Sequence, residues 1–252
     1  AASDVYKRQI YDNNSSDRDK EQAYKWLVSH KNVNHSQIHF LIGKCYHEGI
    51  GVTKNFEEAV KWYTKSAEQG NADAQDSLGD CYYYGGGIEQ NYKKAVEWYT
   101  KAAEQGNAYS QNSLGKCYFN GKGVEQNYTE AVKWCRKAAE QGVAVAQFNL
   151  GDSYHNGKGV EQNYTEAVKW FRKAAEQGFS YAQFKLGFCY YTGKGVEQNY
   201  KEAVKWCRKA AEQGNVTAQF NLGDSYFNGE GIEQNYTEAV KLSLIHISEP
   251  TR

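Results

Sequence analysis

A 36-residue period constrains this chain more than any other feature. Leu78, Leu114, Leu150, Leu186 and Leu222 recur at that spacing, and so do Trp26, Trp62, Trp98, Trp134, Trp170 and Trp206. A fixed period between about 20 and 50 residues marks an array in which each module buries its apolar face only against its neighbours. Length therefore counts modules rather than domains. Five full repeats run over approximately 35–70, 71–106, 107–142, 143–178 and 179–214, and a sixth begins at Asn215. Residues 10–34 read as a polar lead-in followed by a partial repeat, because Ala23 and Trp26 keep the spacing of Ala59 and Trp62.

Within one repeat the periodicity predicts two helices. The first, helix A, is expected from about Asn107 to Tyr118 or Phe119, with Ser110, Leu114, Gly115 and Tyr118 at helical spacing on one face. Gly115 has counterparts at Gly43, Gly79, Gly151, Gly187 and Gly223. A mid-helix glycine costs about 1 kcal/mol relative to alanine, so its return in every repeat points to close approach of a neighbouring helix. Gly121-Lys122-Gly123 ends the helix, the first glycine taking the left-handed cap, and Val124 plugs the turn into the core. Helix B opens with Asn127 and Glu130, the spacing of a capping box, which is repeated at Asn55/Glu58, Asn163/Glu166, Asn199/Glu202 and Asn235/Glu238 and broken at Asn91/Lys94. Ala131, Trp134, Ala138 and Ala139 then give helix B a face of small residues beside one indole. The tryptophan row is expected to be the main inter-helix adhesive, since burying about 200 Å² of ring contributes a few kcal/mol. The fold class that follows is all-α.

Composition excludes several functions. Lys plus Arg (30) balances Asp plus Glu (30) and neither sign clusters, which is not the footprint of a nucleic-acid binder. No apolar run reaches the roughly 18 residues of a membrane span, so membrane insertion is not expected. Cys45, Cys81, Cys117 and Cys189 share a slot that holds Ser153 and Ser225 elsewhere. Cys135 and Cys207 share one that holds Tyr63, Tyr99 and Phe171. They follow the repeat rather than any metal spacing, and so read as small reduced core residues, as in a cytosolic protein. Bridges Cys117/Cys135 and Cys189/Cys207 are the alternative, and a secretory route stays open.

The string Ala/Ser-x-x-x-Leu-Gly-x-x-Tyr, then Gly-x-Gly-Val, then Ala-Val-x-Trp-Tyr/Phe/Cys-x-Lys-Ala-Ala-Glu-x-Gly resembles the Sel-one-like (Sel1-like) repeat, a relative of the tetratricopeptide repeat, over about Glu21 to Lys241. The resemblance implies a right-handed α-solenoid of antiparallel helix pairs that serves as an adaptor docking other proteins. The cysteine-rich secreted branch of that family carries its cysteines near the positions of Ala103 and Gln111 here, so its disulfides do not transfer.

Motifs suggestive of chemistry have simpler readings. Gly-Lys-Gly-Val lies between two helices rather than after a strand, which makes it a turn and not a phosphate loop. His35 and His39 stand one helical turn apart, a spacing that zinc ligands also use, but His39 fills the slot of Gln75 and His47 that of Tyr83. They read as substitutions on an exposed face. Asn127, Asn163 and Asn235 lie in Asn-Tyr-Thr sequons, although the same cap occurs at Asn91 and Asn199 without the threonine. No catalytic constellation, metal site or cofactor site is read.

Residues 1–9 and 242–252 carry none of the landmarks. Back-translated Ser3–Gln9, read on the opposite strand, encodes Leu-Ser-Leu-Ile-His-Ile, the residues at 242–247. Both ends are expected to be translated sequencing adapter, with the 35–241 array cut where the next tryptophan falls due and the natural termini lying elsewhere.

Slots that pack neighbours should stay constant, whereas slots facing a ligand are free to differ. The differing slots lie on helix A: Tyr109, Asn112, Lys116 and Phe119; Phe148, Asp152 and His155; Tyr181, Phe184, Phe188 and Tyr191; Asp224 and Phe227. Three or four apart, they form a stripe on the face that the resemblance assigns to a concave groove, and Tyr and Phe there suit a peptide or partner helix. Phe148, Phe184 and Phe220 also suit packing between repeats. The expected function is a non-enzymatic protein–protein interaction scaffold. The alternative is the docking arm of a larger enzyme, such as a kinase, whose catalytic domain lies outside this stretch.

Overall fold

In the computed structural model, residues 10, 12 and 15–248 are described, with side chains as far as 242. The adapter readings for 1–9 and for 249–252 lie outside that range. Thirteen helices and no strand occur among the described residues: α1 Asp17–Ser29, α2 Ser36–Glu48, α3 Phe56–Ala67, α4 Ala72–Tyr84, α5 Tyr92–Glu104, α6 Ala108–Asn120, α7 Tyr128–Glu140, α8 Ala144–Asn156, α9 Tyr164–Glu176, α10 Ser180–Thr192, α11 Tyr200–Glu212, α12 Val216–Asn228 and α13 Tyr236–Ser248. Even-numbered helices are the A helices and odd-numbered ones the B helices. The chain divides into two compact units, Ala1–Gln126 and Asn127–Arg252. In each, every helix packs on the next in sequence, α1 through α6 and α7 through α13, as in an α-solenoid of helix pairs. Helix α13 continues through Leu242 to Ser248.

The core is a row of leucines and alanines. Leu78, Leu114, Leu150 and Leu186 are almost wholly inaccessible, as are Ala74, Ala146, Ala182 and Ala218. Each buried leucine contributes about 2 kcal/mol of gross transfer energy. Val52, Ile88, Val160, Val196 and Ile232 pack from the turns onto this core, as the lone apolar residue of each turn should.

The tryptophans are not the deepest rings. Trp26, Trp62, Trp98 and Trp134 are half-buried, and Trp170 and Trp206 are buried, yet the residue that follows the tryptophan is more enclosed at Tyr63, Tyr99 and Phe171. That ring lies over the helix-A glycine. A Cβ on Gly79 would stand 2.6 Å from Tyr99 Cδ1, and one on Gly151 would stand 2.7 Å from Phe171 Cδ1. A lysine three residues on lies over the indole face: Lys101 Nζ is 3.9 Å from the Trp98 ring centre and Lys173 Nζ 4.3 Å from that of Trp170.

Helix-B caps follow the asparagine but not the box. Asn55, Asn91, Asn127, Asn163, Asn199 and Asn235 each accept from the backbone N–H three residues on. The reciprocal bond is absent because the asparagine N–H already donates to a tyrosine carbonyl of helix A, as Asn91 does to Tyr82 at 2.8 Å and Asn163 to Tyr154 at 2.9 Å. The glutamate pairs with a lysine instead, Glu166 with Lys169 at 2.6 Å and Glu130 with Lys133 at 3.1 Å. Lys94 in place of glutamate therefore leaves the cap intact.

A polar ladder runs through the buried seam. Gln75 Nε2 donates to the Ala67 carbonyl and Gln105 Nε2 to Gln75 Oε1. Gln147 and Gln177, then Gln183 and Gln213, repeat the pattern. His39 belongs to this ladder, which corrects its expected place on an exposed face. It is fully buried, with Nε2 3.0 Å from the Lys31 carbonyl and Nδ1 3.0 Å from Gln69 Nε2. The geometry requires a neutral ring, Nε2–H donating and Nδ1 accepting. Burial first, with Lys65 and His35 adding to it, holds its pKa below the ordinary histidine value. Both nitrogens being engaged, His39 has none to offer to zinc. All six cysteines are free, buried thiols with pKa pushed up by burial, Cys189 and Cys207 to about 11 and Cys135 to about 12.

Candidate partner-binding face

The stripe is presented by the even helices, whose ends are set by the caps. Each A helix stops at a left-handed glycine: Gly85, Gly121, Gly157, Gly193 and Gly229. A glutamine at the far side of the turn then donates to the last tyrosine, phenylalanine or histidine carbonyl, as Gln198 does to Tyr191 and Gln234 to Phe227. The intervening lysine reaches back to the aromatic residue that opens the previous helix B: Lys158 lies over Tyr128 and Lys194 over Tyr164. Gly-Lys-Gly is thus a turn with a cation over a ring.

In Ala1–Gln126 the stripe is acidic and polar. Tyr109 is 68% exposed, and Asn112 and Phe119 are half-buried. Lys116 Nζ lies 5.5 Å over the ring of Tyr83. Facing them on α4, Asp76 accepts from Ser110 Oγ at 2.5 Å and Asp80 from Tyr99 Oη at 2.6 Å. Burial raises the Asp76 carboxyl to about 6, against the lowering effect of the Ser110 bond.

In Asn127–Arg252 the stripe is aromatic. Tyr181 is 61% and Phe227 56% exposed, with Phe188 and Phe184 half-buried 6.4 Å apart. Phe148 packs between repeats, its ring centre 5.9 Å from Phe171, 5.4 Å from Phe179 and 6.3 Å from Tyr181. Asp152 is met by Lys185 Nζ at 3.2 Å. His155 sits edge-on to Tyr164 at 5.1 Å, and its Nε2 is buried without a hydrogen-bond partner. The same slot is edge-on to the first aromatic of helix B elsewhere, Tyr191 to Tyr200 and Phe227 to Tyr236, both at 5.4 Å. That slot therefore has a packing role as well as an exposed edge. Asp224 is exposed at the end of the stripe.

Two features of this face lay outside the sequence reading. Beside Cys207, in the slot that Phe171 fills one repeat earlier, a hollow of about 130 Å³ opens between α10 and α12. In the next turn Glu230 replaces the lysine and accepts from Tyr191 Oη at 2.9 Å. The exchange of ring for thiol at that slot, legible in the sequence, is the signal for the first. Among the described residues, no group of three or more His, Cys, Asp or Glu is arranged to hold a metal, and no helix is long and apolar enough to cross a membrane.

Helix pairs at a constant 36-residue spacing, joined by glycine turns and presenting a variable A-helix face, define a helical-repeat protein of the tetratricopeptide-like class. Its repeats match the Sel1 repeat model over residues 13–28, 39–71, 72–107, 108–143, 144–179, 180–215 and 216–244, and the chain belongs to the Sel1 repeat family. A Sel1 repeat protein from Oxalobacter formigenes is 36% identical, covering 93% of this chain and 94% of its own, with a TM-score of 0.83. A protective antigen present in uropathogenic Escherichia coli strains and displaying this repeat fold is 38% identical over 87% of this chain, with a TM-score of 0.82. The chain spans about half (47%) of that protein's length. Yeast Tom70 shares the fold alone, at 14% identity and a TM-score of 0.52. No curated protein sequence matches the chain. Repeats of this class serve generally as protein-interaction scaffolds.

Proposed function

We propose that the chain is a non-enzymatic scaffold that binds a peptide or partner segment along its A-helix stripe. One observation carries this reading. The slots that build the array are constant and buried, while Tyr181, Tyr191 and Phe227 are exposed aromatic residues in slots whose occupants differ from repeat to repeat. Exposed rings on a rigid helical face offer large contact area at low entropic cost, which is why aromatic residues dominate interface hot spots. The polar stripe on α4 and α6, with Asp73, Asp76, Asp80, Asn112 and Lys116, supplies directional contacts of a different kind.

Side-chain footprinting tests the face. Hydroxyl radicals modify exposed tyrosine and phenylalanine, so partner captured on the immobilised chain should protect Tyr181, Tyr191 and Phe227 severalfold, leaving Trp62 and Trp98 on the B helices unchanged. Protection confined to the tryptophans would place the partner on the B helices instead.

A further inference from the structure

The hollow between α10 and α12 has a chemistry of its own. Phe188 and Tyr191 wall it, Cys207 lies at its base, and Asn221, Asp224 and Ser225 edge it. It exists because the buried ring slot holds a thiol here: one repeat earlier Phe171 fills the equivalent space against Gly151. Among the described residues no hydrogen bond or ion pair reaches the Asp224 carboxylate. Glu230, in the turn slot that holds Lys122, Lys158 and Lys194 elsewhere, brings a second carboxylate to the Tyr191 hydroxyl, 2.9 Å away. Two aromatic walls thus lie beside two acidic groups at a place where other repeats carry a lysine.

An apolar side chain would fill the space but would cover Asp224 without a counter-charge, and covering an unpaired charge is costly. A cation on an aliphatic stem suits both surfaces, since the stem lies along the rings and the charge meets the carboxylate. The chain supplies its own precedents. Asp152, in the slot of Asp224, is met by Lys185 at 3.2 Å, and Lys116 lies over the ring of Tyr83, in the slot of Tyr191. Both are lysines.

We propose that this hollow receives a lysine side chain of the partner protein, its stem between Phe188 and Tyr191 above Cys207 and its ammonium against Asp224. The inference rests on the scaffold reading and names the chemistry that one part of the stripe recognises.

The test uses the full chain with labelled Asn and Tyr side chains, titrated at low salt with acetyl-Gly-Lys-Gly-amide and with the same peptide carrying neutral norleucine. The lysine peptide is expected to shift the Asn221 amide and Tyr191 ring resonances saturably, and the norleucine peptide to leave them unmoved. Asp224→Asn should abolish the shifts while the spectrum stays folded. Cys207→Phe, which restores the ring of the neighbouring repeat, should abolish them by filling the hollow. Equal response to norleucine, undiminished response in Asp224→Asn, or no saturable shift would each overturn the proposal. If these fail while a partner still protects Tyr181 and Phe227, the lysine site falls and the scaffold reading stands.

Discussion

Gly159→Ala is expected to destabilise the fold by about 3–5 kcal/mol, far more than the same change two residues earlier. The residue has φ of 75°, where a Cβ is already strained, and the added methyl would collide with the Tyr128 carbonyl at the start of α7. That neighbour is backbone and cannot rotate away, so either the turn or the cap of α7 must move. Gly157 also has positive φ, 68°, but its Cβ would meet nothing nearer than the Gln162 Cβ at 3.3 Å, with the Gln162 backbone no closer than 3.6 Å. Gly157→Ala should therefore cost about 1–2 kcal/mol, the left-handed penalty alone. Denaturant unfolding of the two variants separates the roles. Equal losses would mean that the second glycine serves only as a conformational relay.

Phe171→Ala is expected to cost about 3–5 kcal/mol, and Trp62→Ala less, although tryptophan is the larger side chain. Phe171 is fully enclosed and rests on Gly151, so truncation leaves a cavity that the close-packed glycine cannot fill. Trp62 is half-buried at the flank, beneath Lys65, and water can take its place. Because stability in an array is shared between neighbours, the loss should appear as earlier melting of α8 and α9, read by amide exchange. A larger loss from the tryptophan would restore it as the principal adhesive.

These contrasts mark what could and could not be seen in the amino-acid order. Helix limits, the asparagine caps and the left-handed glycine at each A-helix end depend on local chemistry, and they agree to within a residue with the expectation for Asn107–Phe119. The choice between the tryptophan and the next residue did not depend on local chemistry. Both lie three or four positions from Ala131, and only the rotation of helix B against the glycine groove decides which goes in. His39 was misplaced for a related reason. Gln75 looked polar and so exposed, yet its amide is satisfied inside the seam by the Ala67 carbonyl and by Gln105, 30 residues on. The edge-on pairing of Tyr191 with Tyr200 was hidden because it spans a turn rather than the period. On the stripe itself, differences between repeats mark the A helices, and the slot shared by Phe148, Phe184 and Phe220 reads as suited to packing; Phe148 does pack on Phe179, whereas Phe220 is 53% exposed, a difference set by neighbours outside the helix.

The separation of building residues from reading residues is tested most directly by the double variant Tyr181→Ala/Phe188→Ala, assayed for capture of its partner and for thermal unfolding. Loss of one strong hot spot, about 2 kcal/mol, should weaken capture at least about thirtyfold. Helicity should be retained, and the melting midpoint should move by only about 2–4 °C. Undiminished capture by a folded variant would contradict the assignment of the A-helix stripe as the binding face.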